Sequence, residues 1–425
     1  MMTTFLTELA PARRIGEKRA ITSVCSAHRT VIRAALRQGK RLGQPVLIEA
    51  TCNQVNQDGG YTGMTPADFR AFVEKIAAAE GFPADRLILG GDHLGPNPWR
   101  KLPAEEALAK AEAMMAGYVA AGFSKIHLDA SMGCASEPEA LDDETTAHRA
   151  ARLAAVAERV ARDAGVPPPL YIIGTEVPTP GGAVHALDHL TPTCAAAARE
   201  TIATHRRIFA QEGLQAAFDR AIGIVVQPGV EFGHENVVWY APERARDLVA
   251  VLDQESQFIF EAHSTDYQPP DRLAKLVSDG FAILKVGPGL TFALRQALYG
   301  LDCIAAELDP SYGGRALAMA MDSLMLTEPE FWQSYYPGSA AEQHVLLHYS
   351  YSDRIRYYWP HDKAERAVGK LMETLASRPI PETLIAQFLP LAEDVVRSGA
   401  LPPTASALID YGIERVLNDY AQACR

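Results

Sequence analysis

The chain has 425 residues, 48% hydrophobic and 22% charged, which supports one large α/β domain with an appendage and excludes a disordered or fibrous polypeptide. A formal net charge of −12 argues against a general surface for nucleic acid or anionic membrane, but not against a local nest of backbone N–H groups that holds a phosphate. Its six cysteines (Cys25, Cys52, Cys134, Cys194, Cys303, Cys424) form no CxxC pair and are too sparse for a disulfide framework.

Taken in chain order, the first twenty residues lack the apolar core of a signal peptide, and no apolar stretch reaches the roughly 20 residues of a membrane span. A soluble, cytoplasmic protein is expected. Short β-branched apolar runs then recur at 20–28, 45–54, 86–95, 125–132, 170–178, 222–229, 258–266 and 281–289, each closed by Gly, Pro, Asp or Asn. Their near-continuous apolarity predicts strands buried on both faces, as in a parallel sheet covered by helices. Amphipathic segments lie between them, such as 65–81, where Thr65-Pro66 reads as an N-cap with proline at the first helical position. Gly81 and Gly122 stand where helix C-termini need a left-handed residue.

Eight βα units in strict alternation predict an α/β fold, a (β/α)8 TIM barrel over residues 1–308. A doubly wound open sheet is the alternative, but its glycine-rich first crossover is absent. From residue 309 to 425 the alternation gives way to helical stretches (364–377, 404–424) punctuated by prolines, read as a helical C-terminal extension packed on the barrel.

In such a barrel the chemistry lies at the C-terminal strand ends. Those ends carry Asp92 and His93, His127 and Asp129, Glu176, Glu231 and His234, then Glu261, His263 and Asp266. Imidazole and carboxylate groups suit a divalent ion such as Zn²⁺, and a catalytic site needs about three protein ligands with one open position. His93 and His263 are the first two expected ligands, with His234 or Glu231 as the third. Asp92, next to His93, is the expected proton carrier, although a turn or helix cap is the plainer role for such an aspartate. Glu176 is a second proton carrier or ligand, or a carboxylate paired with Lys125 or Lys285.

Gly287 and Gly289, followed by Thr291 at a helix start, predict a phosphate cradle after the last strand. The long amide-rich loop 52–66 offers Asn53, Gln54, Asn56 and Gln57 to a sugar. In the extension, residues 349–360 combine aromatics with Arg354 and Arg356; Arg354 is expected either to clamp a phosphate or to sit in an aromatic docking seam.

Several long motifs are distinctive: ITSVCSAH (21–28), EATCNQVNQDGGYTGMTPADF (49–69), LILGGDHLGPN (87–97), GFSKIHLDASM (122–132), IGTEVPTPGG (173–182), VVQPGVEF (225–232), FEAHSTDYQ (260–268), AILKVGPGLTFALR (282–295) and SDRIRYYWP (352–360). With them the chain resembles, over nearly its whole length, the Z-type subunits of D-tagatose-1,6-bisphosphate aldolase. That resemblance implies a phosphorylated ketose substrate and retro-aldol cleavage to two triose phosphates. It also implies a class II catalytic chain as partner, which this chain supports or supplements or, as an alternative, only stabilises with a vestigial site of its own; an oligomer is expected. Some members are described as tagatose-6-phosphate kinases, others as ketose-phosphate 4-epimerases; kinase action lacks support from below, since no GxxxxGK[ST] loop occurs. The family is also similar to the zinc-dependent class II aldolases. This implies metal ligation by His93 and His263, proton transfer by Asp92, an acid role for Glu176 and phosphate binding by 285–298. On strand six the expected histidine is replaced by QPGVEFGH, which leaves Glu231 or His234 to substitute.

Overall fold

The computed structural model describes residues 4–174, 190–376 and 379–425. Eight parallel strands close into a barrel: β1 (Ile21–Val24), β2 (Val46–Thr51), β3 (Leu87–Leu94), β4 (Lys125–Leu128), β5 (Leu170–Ile173), β6 (Ala221–Val226), β7 (Ile259–Ala262) and β8 (Phe281–Val286). Each strand pairs with its neighbours in the chain, and β8 closes on β1. A helix follows every strand, from Arg29–Leu42 after β1 to Pro288–Leu308 after β8. The strands are shorter than the apolar runs that predict them. Polar residues closing each run, such as Asp129 and His263, fall beyond the last ladder position and stand in the loops of the barrel mouth.

β3 is the exception. Against β4, Gly91 pairs with Ile126 and Leu94 with Leu128, so three steps on β3 oppose two on its partner. The surplus residue is a bulge at Asp92-His93, and His93 takes a left-handed φ of 50°. A regular strand would send these neighbours to opposite faces; the bulge re-aims them.

The helix Pro66–Glu80 starts as its sequence predicts, with the Thr65 hydroxyl accepting from the Asp68 backbone N–H and the Asp68 carboxylate accepting in return. Gly81 ends it at φ 61°. Such a cap contributes about 1 kcal/mol.

The middle of the barrel is charged. Glu49 on β2, Gly90 on β3 and Lys125 on β4 share one rung of the sheet. A Cβ at Gly90 would lie 2.5 Å from the Glu49 carboxylate, so glycine leaves the space in which Glu49 meets Lys125 at 2.6 Å. Lys125 also holds Glu261 at 2.6 Å, and Lys285 on β8 contacts Glu49, Asp92 and Glu261. These side chains are almost wholly buried. Buried charges persist only when paired, and here two ammonium groups face three carboxylates.

Beyond Leu308 the chain is helical, with the helices Ala316–Thr327, Ala340–Tyr349, Asp362–Leu375 and Ala405–Ala423 among its elements. The last lies along Arg29–Leu42, where Asp410 accepts from Arg33 at 2.5 Å and Arg37 at 2.6 Å. Tyr420 donates to the Thr265 carbonyl at 2.7 Å, and the extension shares one hydrophobic core with the barrel. Among the described residues no helix is long and apolar enough to cross a membrane.

Candidate active site

Three imidazoles meet at the mouth. The ring centroids of His93, His127 and His263 are 4.8 to 5.2 Å apart. Each has one nitrogen beside a carboxylate: His93 Nδ1 is 2.9 Å from Asp129, His127 Nδ1 is 3.1 Å from Asp92, and His263 Nε2 is 2.9 Å from Glu261. For His93 and His263 a carboxylate on one ring nitrogen favours the tautomer that leaves the other nitrogen as a ligand, the usual outer arrangement of metal-binding histidines, whereas His127 Nδ1 also meets the His93 backbone N–H at 3.2 Å. His127 Nε2 is buried with no hydrogen-bond partner. An orphaned imidazole nitrogen in a polar pocket is costly unless something binds it, and the donor set suits a divalent ion. Ligand atoms of Asp92, His127, Glu261 and His263 all lie within 4.8 Å of one another; His93 falls outside this close-set group, its ring centroid 4.8 Å from that of His263.

The electrostatics follow from burial and pairing. Burial opposes charge on Asp92, yet His93 and Lys285 hold its carboxyl well below the usual range. Burial likewise disfavours the His93 imidazolium, but Asp92 and Asp129 raise its pKa. His263 is pushed down to about 3, mainly by burial, so it is neutral and fit to ligate. For Lys285 the three carboxylates outweigh desolvation and hold its pKa well above normal. A Schiff-base mechanism needs a neutral amine, and Lys285 is not one.

The cavity in front of the imidazoles encloses about 640 Å³, partly open to solvent, and Asn53, Gln54, Asp92, His93, His263, Lys285 and Arg356 are among its lining residues. A second cavity of about 960 Å³ adjoins it through Cys25, Gln54, Tyr61, Gly287 and Arg356, and reaches Ser26, Arg29 and Thr291. Ser264, beside His263, has a left-handed φ of 53°. Non-glycine residues held there cost of order 1–3 kcal/mol, and such residues concentrate where side chains are aimed at a site.

Several expected residues stand elsewhere. His234 is turned to the extension, with Nδ1 at 3.1 Å from Ser352 Oγ and Nε2 at 3.0 Å from the Tyr335 carbonyl, so neither nitrogen is free for the imidazole group. Glu231 also lies outside the close-set ligand atoms; its Oε1 accepts the Phe232 N–H at 3.0 Å. His127, which the strand-end pattern offered without a role, stands among the close-set ligand atoms instead. Arg354 donates to the Phe331 carbonyl, its guanidinium 3.4 Å from the Tyr335 ring centroid and 4.9 Å from that of Tyr357. Arg354 therefore stands in the aromatic seam and does not line the cavity in front of the imidazoles, where the arginine is Arg356.

The glycine cradle is filled from within. The N–H groups of Gly287 and Gly289 donate to Asp266 Oδ1 at 2.9 and 2.7 Å, and the Thr291 hydroxyl donates to Asp353 at 2.6 Å. In the loop, Asn56 accepts from the Asp58 and Gly60 N–H groups, and Gln57 donates to Lys110. These two shape the loop, while Asn53 and Gln54 face the cavity. Glu176 lies outside the described residues.

Burial pushes the Glu231 carboxyl from 4.5 up to about 7. A carboxyl raised by folding contributes stability that is complete below the unfolded value and lost as pH rises through the folded one. Glu231→Gln is therefore expected to flatten the fall in unfolding free energy between about pH 5 and pH 8, an effect on the order of 3 kcal/mol at most. Denaturant titrations across that range measure it, and equal slopes for both proteins would refute it.

Residues 6–425 match the family described as D-tagatose-1,6-bisphosphate aldolase subunit GatZ/KbaZ-like. The chain belongs to this family. Within the reach of that kinship, a D-tagatose 6-phosphate 4-epimerase from Agrobacterium fabrum is 62% identical over 388 residues, 91% of each chain. A crystal structure of a probable tagatose 6 phosphate kinase from Sinorhizobium meliloti superposes with a TM-score of 0.89 at 57% identity, covering 96% of this chain and all of that one. Membership of the GatZ/KbaZ-like family and the closed parallel barrel agree with a role in tagatose- and aldolase-related sugar phosphate metabolism.

Proposed function

We propose that the chain is a metal-dependent 4-epimerase of a ketohexose 6-phosphate, interconverting the tagatose and fructose forms by breaking and remaking the C3–C4 bond. The single observation that carries this reading is the bulge that brings Asp92 and His93 together at a mouth shared with His127 and His263. The 62% identity to a tagatose 6-phosphate 4-epimerase supports the choice of substrate.

In this reading His93, His127 and His263 hold the ion, zinc being the first candidate. When bound, it supplies Lewis-acid polarisation of the ketose carbonyl. Asp92, ionised, takes the proton of the C4 hydroxyl. The C3–C4 bond breaks, C4 becomes an aldehyde, and the bonding pair moves through C3 to the C2 oxygen. The aldehyde turns over in the cavity, C3 attacks its other face, and Asp92 returns the proton to the new hydroxyl. Atoms and charges balance without an external oxidant. Arg356, whose guanidinium also donates to the Ser352 and Asp353 carbonyls and the Tyr357 hydroxyl, lines both cavities and is the candidate to meet the 6-phosphate, with Gln54 and Asn53 along the chain of hydroxyls. Lys285, held protonated, keeps Asp92 ionised for the proton transfer.

A lyase subunit that needs a class II partner chain shares the first half of this sequence, and the family description favours it as the second reading. Incubating the isolated protein with tagatose 6-phosphate, and separately with tagatose 1,6-bisphosphate, distinguishes the two by ¹³C NMR. Fructose 6-phosphate from the first, abolished by chelation and restored by Zn²⁺, is the expected result. Triose phosphates from the second, formed only after adding a class II chain, would overturn it. Soluble sugar phosphates as substrates fit a cytoplasmic enzyme.

A further inference from the structure

The extension carries a second group of metal-capable side chains, distant in sequence from every strand end. His344 and His348 are four residues apart on the helix Ala340–Tyr349, a spacing that puts both imidazoles on one face. Asp322, on the neighbouring helix Ala316–Thr327, lies between them, its Oδ1 3.1 Å from His344 Nδ1 and 3.0 Å from His348 Nε2. The three ligand atoms all fall within 4.8 Å of one another.

We propose that Asp322, His344 and His348 form a second divalent-metal site, of the zinc class, that clamps these two helices of the extension.

Three features carry it. First, a tetrahedral ion with bonds of about 2.0–2.1 Å separates its ligand atoms by about 3.3 Å. The carboxylate–imidazole distances of 3.0 and 3.1 Å need only a few tenths of an ångström to open to that spacing. Second, the buried ligand is oriented from behind: His348 Nδ1 is 2.7 Å from the Tyr299 hydroxyl, on the helix Pro288–Leu308. A tyrosine hydroxyl both donates and accepts, so it serves either tautomer: it donates to Nδ1 while Nε2 carries the single ring proton, and accepts from Nδ1–H once exchange with solvent has moved that proton to Nδ1 and left Nε2 to an ion. Third, exposure is graded as an open site requires. The His348 side chain is 3% exposed, Asp322 33% and His344 58%, which leaves the remaining coordination position toward water. Two imidazoles and one carboxylate favour zinc or a neighbouring transition ion over Mg²⁺ or Ca²⁺, which prefer oxygen.

The test must separate this ion from one in the barrel mouth. The chelator-stripped protein is reloaded with Zn²⁺, desalted, and its zinc measured by atomic emission, alongside His344→Ala, His93→Ala/His263→Ala and the triple variant. His344 is exposed, so its substitution leaves the fold in place. The barrel double variant should keep one zinc per chain, the triple variant none, and Zn²⁺ should raise the melting temperature of the double variant but not of the triple. Should the barrel variants not fold, wild type and His344→Ala are compared directly by calorimetric titration with Zn²⁺. The single variant should then bind one ion fewer, or bind it at least tenfold more weakly. Equal zinc content and equal stabilisation with and without His344 would overturn the proposal and leave Asp322 as a hydrogen-bonded bridge between two histidines. Because the barrel ligands are untouched in His344→Ala, this result is independent of the epimerase reading.

Discussion

Replacing Lys285 by methionine is expected to lower the unfolding free energy by about 3–5 kcal/mol, the typical cost of stranding buried charges by removing one partner. Lys285 contacts Glu49, Glu261 and Asp92, all nearly inaccessible to water. Without it, three carboxylates are left to Lys125, which already serves two of them at 2.6 Å. Methionine keeps the length and apolar stem, so the effect reports charge and not a cavity. Against a total stability of about 5–15 kcal/mol, such a loss is a large fraction. Urea denaturation measures it, and adding Glu49→Gln should recover part of the loss, since neighbours in one network do not behave additively. A change below about 1 kcal/mol would mean that the charged layer in the barrel is not held as described.

Asp92→Asn is expected to reduce kcat for the proposed epimerisation by about 10²–10⁴-fold, the range for a positioned acid–base group. Asparagine preserves shape but accepts no proton. It also releases Lys285 and His127, so zinc content and the unfolding midpoint are measured on the same sample. A protein that retains its metal and fold but loses kcat, with KM little changed, assigns the loss to proton transfer. A kcat within tenfold of wild type in the metal-loaded variant would remove Asp92 from the mechanism.

Both effects depend on features with different visibility in the sequence. The eight strand runs, the helix caps at Thr65 and Gly81 and the gathering of Asp92, His93 and His263 at one rim follow from period, burial and the parallel topology, which always sends the same strand end to the same mouth. The charged layer left a weaker trace: Glu49, Lys125, Glu261 and Lys285 each interrupt an otherwise apolar strand run. A charge inside a doubly buried strand demands a partner, but which strands supply it depends on register around the closed barrel.

Direction is what the linear chain withholds. In the sequence His234 is an expected ligand and His127 has no assigned role, yet His234 turns to Ser352 and Tyr335 of the extension and His127 to Asp92. The Gly287–Gly289 turn has the composition of an anion cradle, but Asp266, twenty-one residues before Gly287, reaches its N–H groups.

By itself, then, the order of residues determined the barrel, the rim at which polar groups collect and the chemical types available there. Those are consequences of local propensity and of apolar periodicity, which act over a few residues at a time. Only the folded chain decided which imidazoles converge, which glycine N–H groups are already taken and which arginine reaches the cavity. These outcomes turn on a one-residue bulge in β3, on the pairing of charges across the barrel and on contacts from a helical extension hundreds of residues away, all of which are set by packing in three dimensions.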